Sequence, residues 1–271
     1  MQKIKTLDTC TNSHKPAIYT ISRKAISTLS SLSFALAISI SNAAPLSQEE
    51  WNQDFNACVF NKDHNMCQKL INNGLQTLEE CTKTTCNDNG LIYQNAGFQA
   101  KAITFFKRAI DLDDNRAYHN LGLLYHKEIG NIPQAKKFYE LALQKQHYGA
   151  RLNLGTLYYE QKDYSNALKH FEIVCEKSSG EAKMLACHNL GVMYDNGEGA
   201  LQDYRKSHQY YKTSCDMGYG YACNNLGVLY ANGLGTKQNL FMAKELYGKA
   251  CNLVCNKGCA NYKALNQKNL K

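Results

Sequence analysis

Apolar positions along this chain follow helical spacing and return in the same arrangement about every 32 to 36 residues. A Gly-x-x-Tyr pair marks each return: Gly90/Tyr93, Gly122/Tyr125, Gly155/Tyr158, Gly191/Tyr194 and Gly227/Tyr230, with 32, 33, 36 and 36 residues from one glycine to the next. After each pair comes a second apolar face, a small residue and an aromatic four positions later: Ala102/Phe106, Ala135/Tyr139, Ala167/Phe171, Ser207/Tyr211 and Ala243/Tyr247. Both patterns place their residues on one side of a helix, so each period predicts a helix A and a helix B. Units of that length are helical hairpins, and one alone cannot bury its apolar face. The fold class predicted is therefore all-α, an α/α solenoid of stacked helix-turn-helix repeats offering a long surface to a partner. Recognition, not catalysis, is the first functional expectation.

Ahead of the regular array, Trp51 to Phe60 and Asn65 to Glu80 read as a short hairpin, apolar on one side and charged on the other. It is the expected N-terminal cap, within residues 44–85, before five repeats over 86–258. From Cys259 to the end, residues 259–271, a last helix carries Lys263 where the repeat glycine would stand, as suits a capping helix that no partner crosses. From the tyrosine of helix A to the small residue of helix B the distance is 9, 10 and 9 in the first three repeats and 13 in the last two. The extra length is the loop Asn196-Gly197-Glu198-Gly199 or Asn232-Gly233-Leu234-Gly235. With no strand before it and no Gly-Lys-Ser/Thr after it, such a loop predicts a turn with positive φ and not a phosphate cradle.

The first 43 residues have a different character. Lys3, Lys5, Lys15, Arg23 and Lys24 stand against the single acid Asp8, and an apolar run follows from Leu29 to Ile40. The run is too short to span a bilayer. It ends at Ser41-Asn42-Ala43, small residues where a signal peptidase reads them, so residues 1–43 are expected to be a signal peptide cleaved after Ala43. An uncleaved anchor is the alternative. Cleavage would lower the net charge from +8 to +4, spread among Glu and Lys along the helices. That excess is mild and forms no basic stripe, so nucleic acid is not an expected partner and no stable membrane span is expected after cleavage.

Twelve cysteines in an exported chain point to an oxidising destination, secreted or periplasmic, and to a disulfide framework. Cys215 and Cys223 are eight apart, as are Cys251 and Cys259, while Cys175 and Cys187 are twelve apart around Ser178-Ser179-Gly180. Each pair straddles the junction between one repeat's helix B and the next helix A. Cys223, Gly227 and Tyr230 lie at i, i+4 and i+7 on one stripe, and Cys187, Gly191 and Tyr194 repeat it. Cys81 and Cys86 fit the same junction, and Cys58 with Cys67 fits a bridge inside the first hairpin, with no second copy to fix its connectivity. Eleven cysteines remain after cleavage, and Cys255 is the one left over as an unpaired thiol. The C-x2-C pairs and His spacings of structural zinc sites do not occur, so no metal and no cofactor is expected.

Ala222-Cys223-Asn224-Asn225-Leu226-Gly227-Val228-Leu229-Tyr230-Ala231-Asn232-Gly233-Leu234-Gly235, followed by Ala243, Tyr247 and Cys251, resembles the Sel1-like repeat of the secreted Helicobacter cysteine-rich proteins. Residues 86–175 look more like tetratricopeptide repeats, without cysteines or the Gly-x-Gly loop between Cys86 and Cys175. The resemblance covers about 210 residues as an architecture; its cysteine-linked form runs from Cys175 to Cys259. It implies penicillin binding and weak β-lactam hydrolysis as a second function. The chain holds no Ser-x-x-Lys, Ser-Asp-Asn or Lys-Thr-Gly for a serine hydrolase; Gly235-Thr236-Lys237 is only the last of these reversed. Bases for such a reaction would have to come from His119, His126 or His188.

Asn120, Asn153, Asn189 and Asn225 each stand two residues before the repeat glycine. On a helix that offset turns a side chain about 200° from the glycine, away from helix B and toward an inner groove. A row of amides there could bind a peptide, a cell-wall fragment or a protein partner through paired donors and acceptors, and β-lactams share the same amide chemistry. His119 and His188 lie beside two of them. A purely structural row, bonding repeat to repeat, is the competing expectation.

Overall fold

The computed structural model describes residues 46–268. The signal-peptide and cleavage expectations for residues 1–43 lie outside the described residues. Thirteen α-helices occupy the described part, which contains no β-strand. They divide between two compact units, residues 46–150 and residues 151–268.

The first unit opens with the hairpin α1 (Gln48–Asn61) and α2 (His64–Asn72). Ser47 caps α1 in a reciprocal capping box with Glu50, and Asp63 caps α2. Helix α2 stops eight residues short of the expected Glu80, because Asn72-Asn73-Gly74 ends it and Gly74 takes a φ of +88°. Two hairpins follow: α3 (Lys83–Asn95) with α4 (Gln99–Asp111), and α5 (Asn115–Leu123) with α6 (Ile132–Gln144). Between α5 and α6 the helix continues as a π-helical turn, Leu124–Ile129. This is where the Tyr-to-small distance is 10 and not 9. The one additional residue widens the helix by a turn of i→i+5 bonding, closed by Gly130 N–H donating to the Tyr125 carbonyl.

The second unit takes residues 151–160 of α7 (Tyr148–Glu160), then α8 (Tyr164–Lys177), α9 (Gly180–Asn196), α10 (Tyr204–Asp216), α11 (Gly220–Asn232), α12 (Leu240–Asn252) and α13 (Asn256–Lys268). Most B helices start at a side-chain cap four residues before the small residue. Asn131, Asp163, Asp203 and Asn239 each accept a backbone N–H from the first turn of the helix that follows. Gly197 and Gly233 end α9 and α11 in the left-handed conformation, as the two glycine loops predict.

The repeat glycine makes room for a ring more than for a backbone. A Cβ on Gly122 would lie 2.6 Å from Cδ1 of Tyr139, and one on Gly191 would lie 2.5 Å from Cδ1 of Tyr211. Phe106, Phe171 and Tyr247 occupy the same place against Gly90, Gly155 and Gly227. These five aromatics are the largest fully buried side chains of the described residues. The tyrosine of the Gly-x-x-Tyr pair stacks on the preceding residue of helix B: Tyr93 on Phe105, Tyr125 on Phe138, Tyr158 on His170 and Tyr194 on Tyr210.

Five disulfides hold the hairpins: Cys58–Cys67, Cys81–Cys86, Cys175–Cys187, Cys215–Cys223 and Cys251–Cys259, with Cα atoms 4.5 to 5.1 Å apart. Cys255 departs from its expected role: it is buried and disulfide-bonded, not an unpaired thiol. The α4–α5 and α6–α7 junctions carry Ile110 and Tyr118, or Leu143 and Arg151, in place of the cysteines. At the first of these Arg116 forks onto Asp114 (2.7 to 3.2 Å); beside the second His147 caps α7 and stacks on His119 at 4.5 Å.

Candidate functional site

Helix A side chains are best placed by counting from the repeat glycine. Two residues before it stand Asp88, Asn120, Asn153, Asn189 and Asn225, and Asn261 stands two before Lys263. Asn120, Asn153, Asn189 and Asn225 are only 0 to 2% exposed, as are His119 and His188. The four amides point away from helix B, as their spacing predicts, but they do not line an open groove. Asn120 Nδ2 donates to Asn87 Oδ1 at 2.8 Å, and Asn261 Nδ2 donates to Asn224 Oδ1 at 2.8 Å. Each bond runs from one helix A to the helix A of the preceding repeat, which fills the direction read as groove. Asp88 and Asn261 are further rungs of this row, and the acceptors Asn87 and Asn224 stand three residues before the glycine. Asp88 shares the position of the amides but carries a carboxyl group in their place.

Burial decides the chemistry of these groups. Desolvation lowers His188 to about 3. Burial, and then the neighbouring His147, holds His119 well below the ordinary histidine range. Both imidazoles are neutral near pH 7 and closed to solvent, so neither can serve as a base toward a bound ligand. Asp88 is raised to about 6, first by burial, with Arg116 pulling the other way.

A second internal position lies four residues after the glycine, facing the hydroxyl of the helix B tyrosine. His126 Nδ1 is 3.2 Å from the Tyr139 hydroxyl, and the Tyr211 hydroxyl donates to Asp195 Oδ2 at 3.3 Å. In the last repeat this residue is Ala231, and the buried Tyr247 hydroxyl has no partner. We therefore expect opposite outcomes from one substitution. Tyr211→Phe should cost about 1 to 2 kcal/mol in urea unfolding, whereas Tyr247→Phe should be neutral or stabilising by up to about 1 kcal/mol. Equal losses at the two positions would contradict the assignment.

A neighbouring stripe of helix A, one and five residues after the glycine, comes nearer the surface. On α9 these are Val192 and Asn196, on α11 Val228 and Asn232. Asn196 is exposed, Val192 and Asn232 are half-buried and Val228 sits just below the surface. Asn196 Nδ2 reaches Glu198 Oε2 at 3.4 Å, and Asn232 Nδ2 donates to its own Val228 carbonyl at 3.0 Å. The two copies are 36 residues apart, so two consecutive repeats of the second unit bring an amide toward the surface, beside half-buried Val192 in one and beside Val228, packed in the core with Tyr247 and Leu265, in the other. Sequence reasoning missed the pair because both asparagines were read as the start of a glycine loop; the shared 36-residue spacing was the available signal. Glu198, inside one loop, accepts the Tyr159 hydroxyl at 2.7 Å and joins that loop to α7. Among the described residues no three His, Cys, Asp or Glu side chains gather closely enough to hold a metal ion.

The Sel1 repeat matches at residues 86–114, 149–179, 185–219 and 220–254, and a tetratricopeptide repeat matches at 116–144. Tetratricopeptide character is thus narrower than the expected 86–175. No curated protein matches the sequence. Among solved structures, a protective antigen of uropathogenic Escherichia coli strains is 21% identical with a TM-score of 0.61, over 76% of this chain and 44% of its own. The chain therefore spans less than half of that antigen. A Sel1 repeat protein from Oxalobacter formigenes is 24% identical with a TM-score of 0.56, over 74% of this chain and 84% of its own. At these identities the likeness is one of fold.

Proposed function

The chain is a Sel1-repeat protein, and from that premise we propose that it is an exported binding module whose A helices grip a peptide segment of a protein or of the cell wall. The observation that carries this is the repetition of Asn196 and Asn232, 36 residues apart, at the ends of α9 and α11. An extended peptide presents alternating N–H and C=O groups, and a side-chain amide offers both a donor and an acceptor to meet them. Repeat arrays bind by such periodic contacts because each unit adds the same surface at a fixed step. Five disulfides among the described residues support an oxidising destination, secreted or periplasmic. No described helix is long and apolar enough to cross a membrane.

The test is titration calorimetry with a peptidoglycan stem peptide and with short random peptides, on the wild type and on Asn196→Ala with Asn232→Ala. Loss of two amide contacts should weaken binding about 5-fold to 150-fold while leaving the melting temperature unchanged. The buried pair Asn189→Ala with Asn225→Ala should do the reverse and lower the melting temperature. Unchanged affinity in the Asn196 and Asn232 double variant, with its fold verified, would remove this stripe as the binding surface. Benzylpenicillin belongs in the same series because it shares peptide-like amides. Turnover at enzyme-like rates would favour the hydrolase reading, which the burial of His119, His126 and His188 leaves without its candidate bases.

A further inference from the structure

Positive charge is not spread evenly, as the composition suggested. Residues 237–271 carry Lys237, Lys244, Lys249, Lys257, Lys263, Lys268 and Lys271 against the single acid Glu245, a net of +6. Residues 1–43 account for +4 of the whole-chain +8, which leaves −2 for everything between. The basic character of the folded array belongs to its last hairpin.

That hairpin also has an unusual helix start. The first turn of α12 is Leu240-Phe241-Met242, exposed by 39, 71 and 36%. The same turn is Tyr164-Ser165-Asn166 in α8 and Tyr204-Arg205-Lys206 in α10. Successive residues of a helix point about 100° apart, so three exposed neighbours mean that the turn protrudes as a tip; they cannot all line one groove. Asn239 holds the tip in shape by accepting the Met242 N–H at 3.0 Å. Lysines flank it. Lys237 is exposed in the preceding loop, Lys244 lies over the Tyr262 ring at 5.7 Å and so brings α13 alongside, and Lys263 follows Tyr262 on the exposed side of α13.

We infer that this tip docks on an anionic lipid bilayer, with Leu240, Phe241 and Met242 entering the interfacial layer and Lys237, Lys244 and Lys263 meeting headgroup phosphates. A protruding apolar turn suits a fluid interface that closes around it, whereas a protein partner would need a shaped pocket for three side chains splayed in three directions. Lysines serve there as point charges that need no fixed geometry. Apolar insertion and basic attraction together are the two signals that peripheral attachment takes.

The full chain is tested by hydrogen exchange over residues 237–245 in three arms: phosphatidylcholine vesicles, the same vesicles with about one third phosphatidylglycerol, and soluble polyglutamate of matched charge. Exchange in the first turn of α12 should slow at least about tenfold with the anionic vesicles alone and recover at about 1 M salt, where screening is short-ranged. Phe241→Asp with Met242→Asp, exposed positions whose change leaves the core intact, should abolish the protection while circular dichroism and melting temperature are retained. Absence of protection with the anionic vesicles, or protection kept in the double variant, would overturn the proposal. Equal protection by polyglutamate would also overturn it, in favour of an acidic polymer.

Discussion

Reduction of Cys175–Cys187, Cys215–Cys223 and Cys251–Cys259 should lower the stability of residues 151–268 by about 8 kcal/mol in all. Each bridge closes a loop of about 9 to 13 residues, which chain entropy values at about 2.5 to 3 kcal/mol. A sum of that size rivals the whole stability of a typical domain, so the reduced second unit should lose cooperative unfolding at moderate temperature. Helices α5 and α6 respond differently. Both bridges of the first unit lie before α4, and residues 115–144 rest on Arg116–Asp114, His119–His147 and His126–Tyr139 instead. Hydrogen exchange before and after reduction should therefore show lost protection in α9 to α13 and little change in α5 and α6. Uniform loss along the chain, or loss confined to residues 115–144, would refute this distribution.

The second large effect is a balance of two desolvated groups in the same unit, buried His188 and partly buried Asp195. His188, lowered to about 3 by burial, takes up its proton in the unfolded chain long before it does so in the folded one. Its contribution is fully present above about pH 6.5 and is lost as pH falls toward 3, by about 4 to 5 kcal/mol at the end. Asp195 works in the opposite sense. Raised to about 6 by burial, it contributes fully below about pH 3.8 and loses about 3 kcal/mol as pH rises through 6. Between pH 6.5 and 4 the two largely cancel. Asp195→Asn removes the compensation, so that variant should lose about 3 kcal/mol more than the wild type over this range in urea unfolding. A parallel pH dependence of the two proteins would refute the pairing.

Periodic features were legible in the sequence because their causes are local. The spacing of Gly191, Tyr194 and Cys187 on one stripe places the helix, its aromatic partner and its bridge together. The extra residue after Tyr125 was also countable, though only the backbone shows that it becomes a π-helical turn. What escaped was neighbourhood. Asn120 and Asn189 face away from helix B as expected, but whether that direction holds solvent or the next repeat depends on how hairpins stack, which no spacing within one repeat encodes. The same limit hid Asn196 and Asn232, whose exposure depends on where α9 and α11 end. Bonding of Cys255 escaped as well, because a register built from adjacent pairs left it over. The Phe241 tip was present as three letters in a row and meaningless until its exposure placed it outside the core.

The bonds Asn120 to Asn87 and Asn261 to Asn224 have a sense of direction: the later repeat gives the proton and the earlier one takes it. Repeats in this chain are consequently not interchangeable bricks. The closing helix α13, which supplies Asn261, is matched to a predecessor bearing an asparagine three residues before its glycine, such as the first or the fifth repeat. Set behind the third, it would face Leu152, which has no side-chain acceptor, and would lose this bond. Chimeras that shuffle these hairpins should sort by this polarity, so that the order of the repeats is written in their interior and not in the loops that join them.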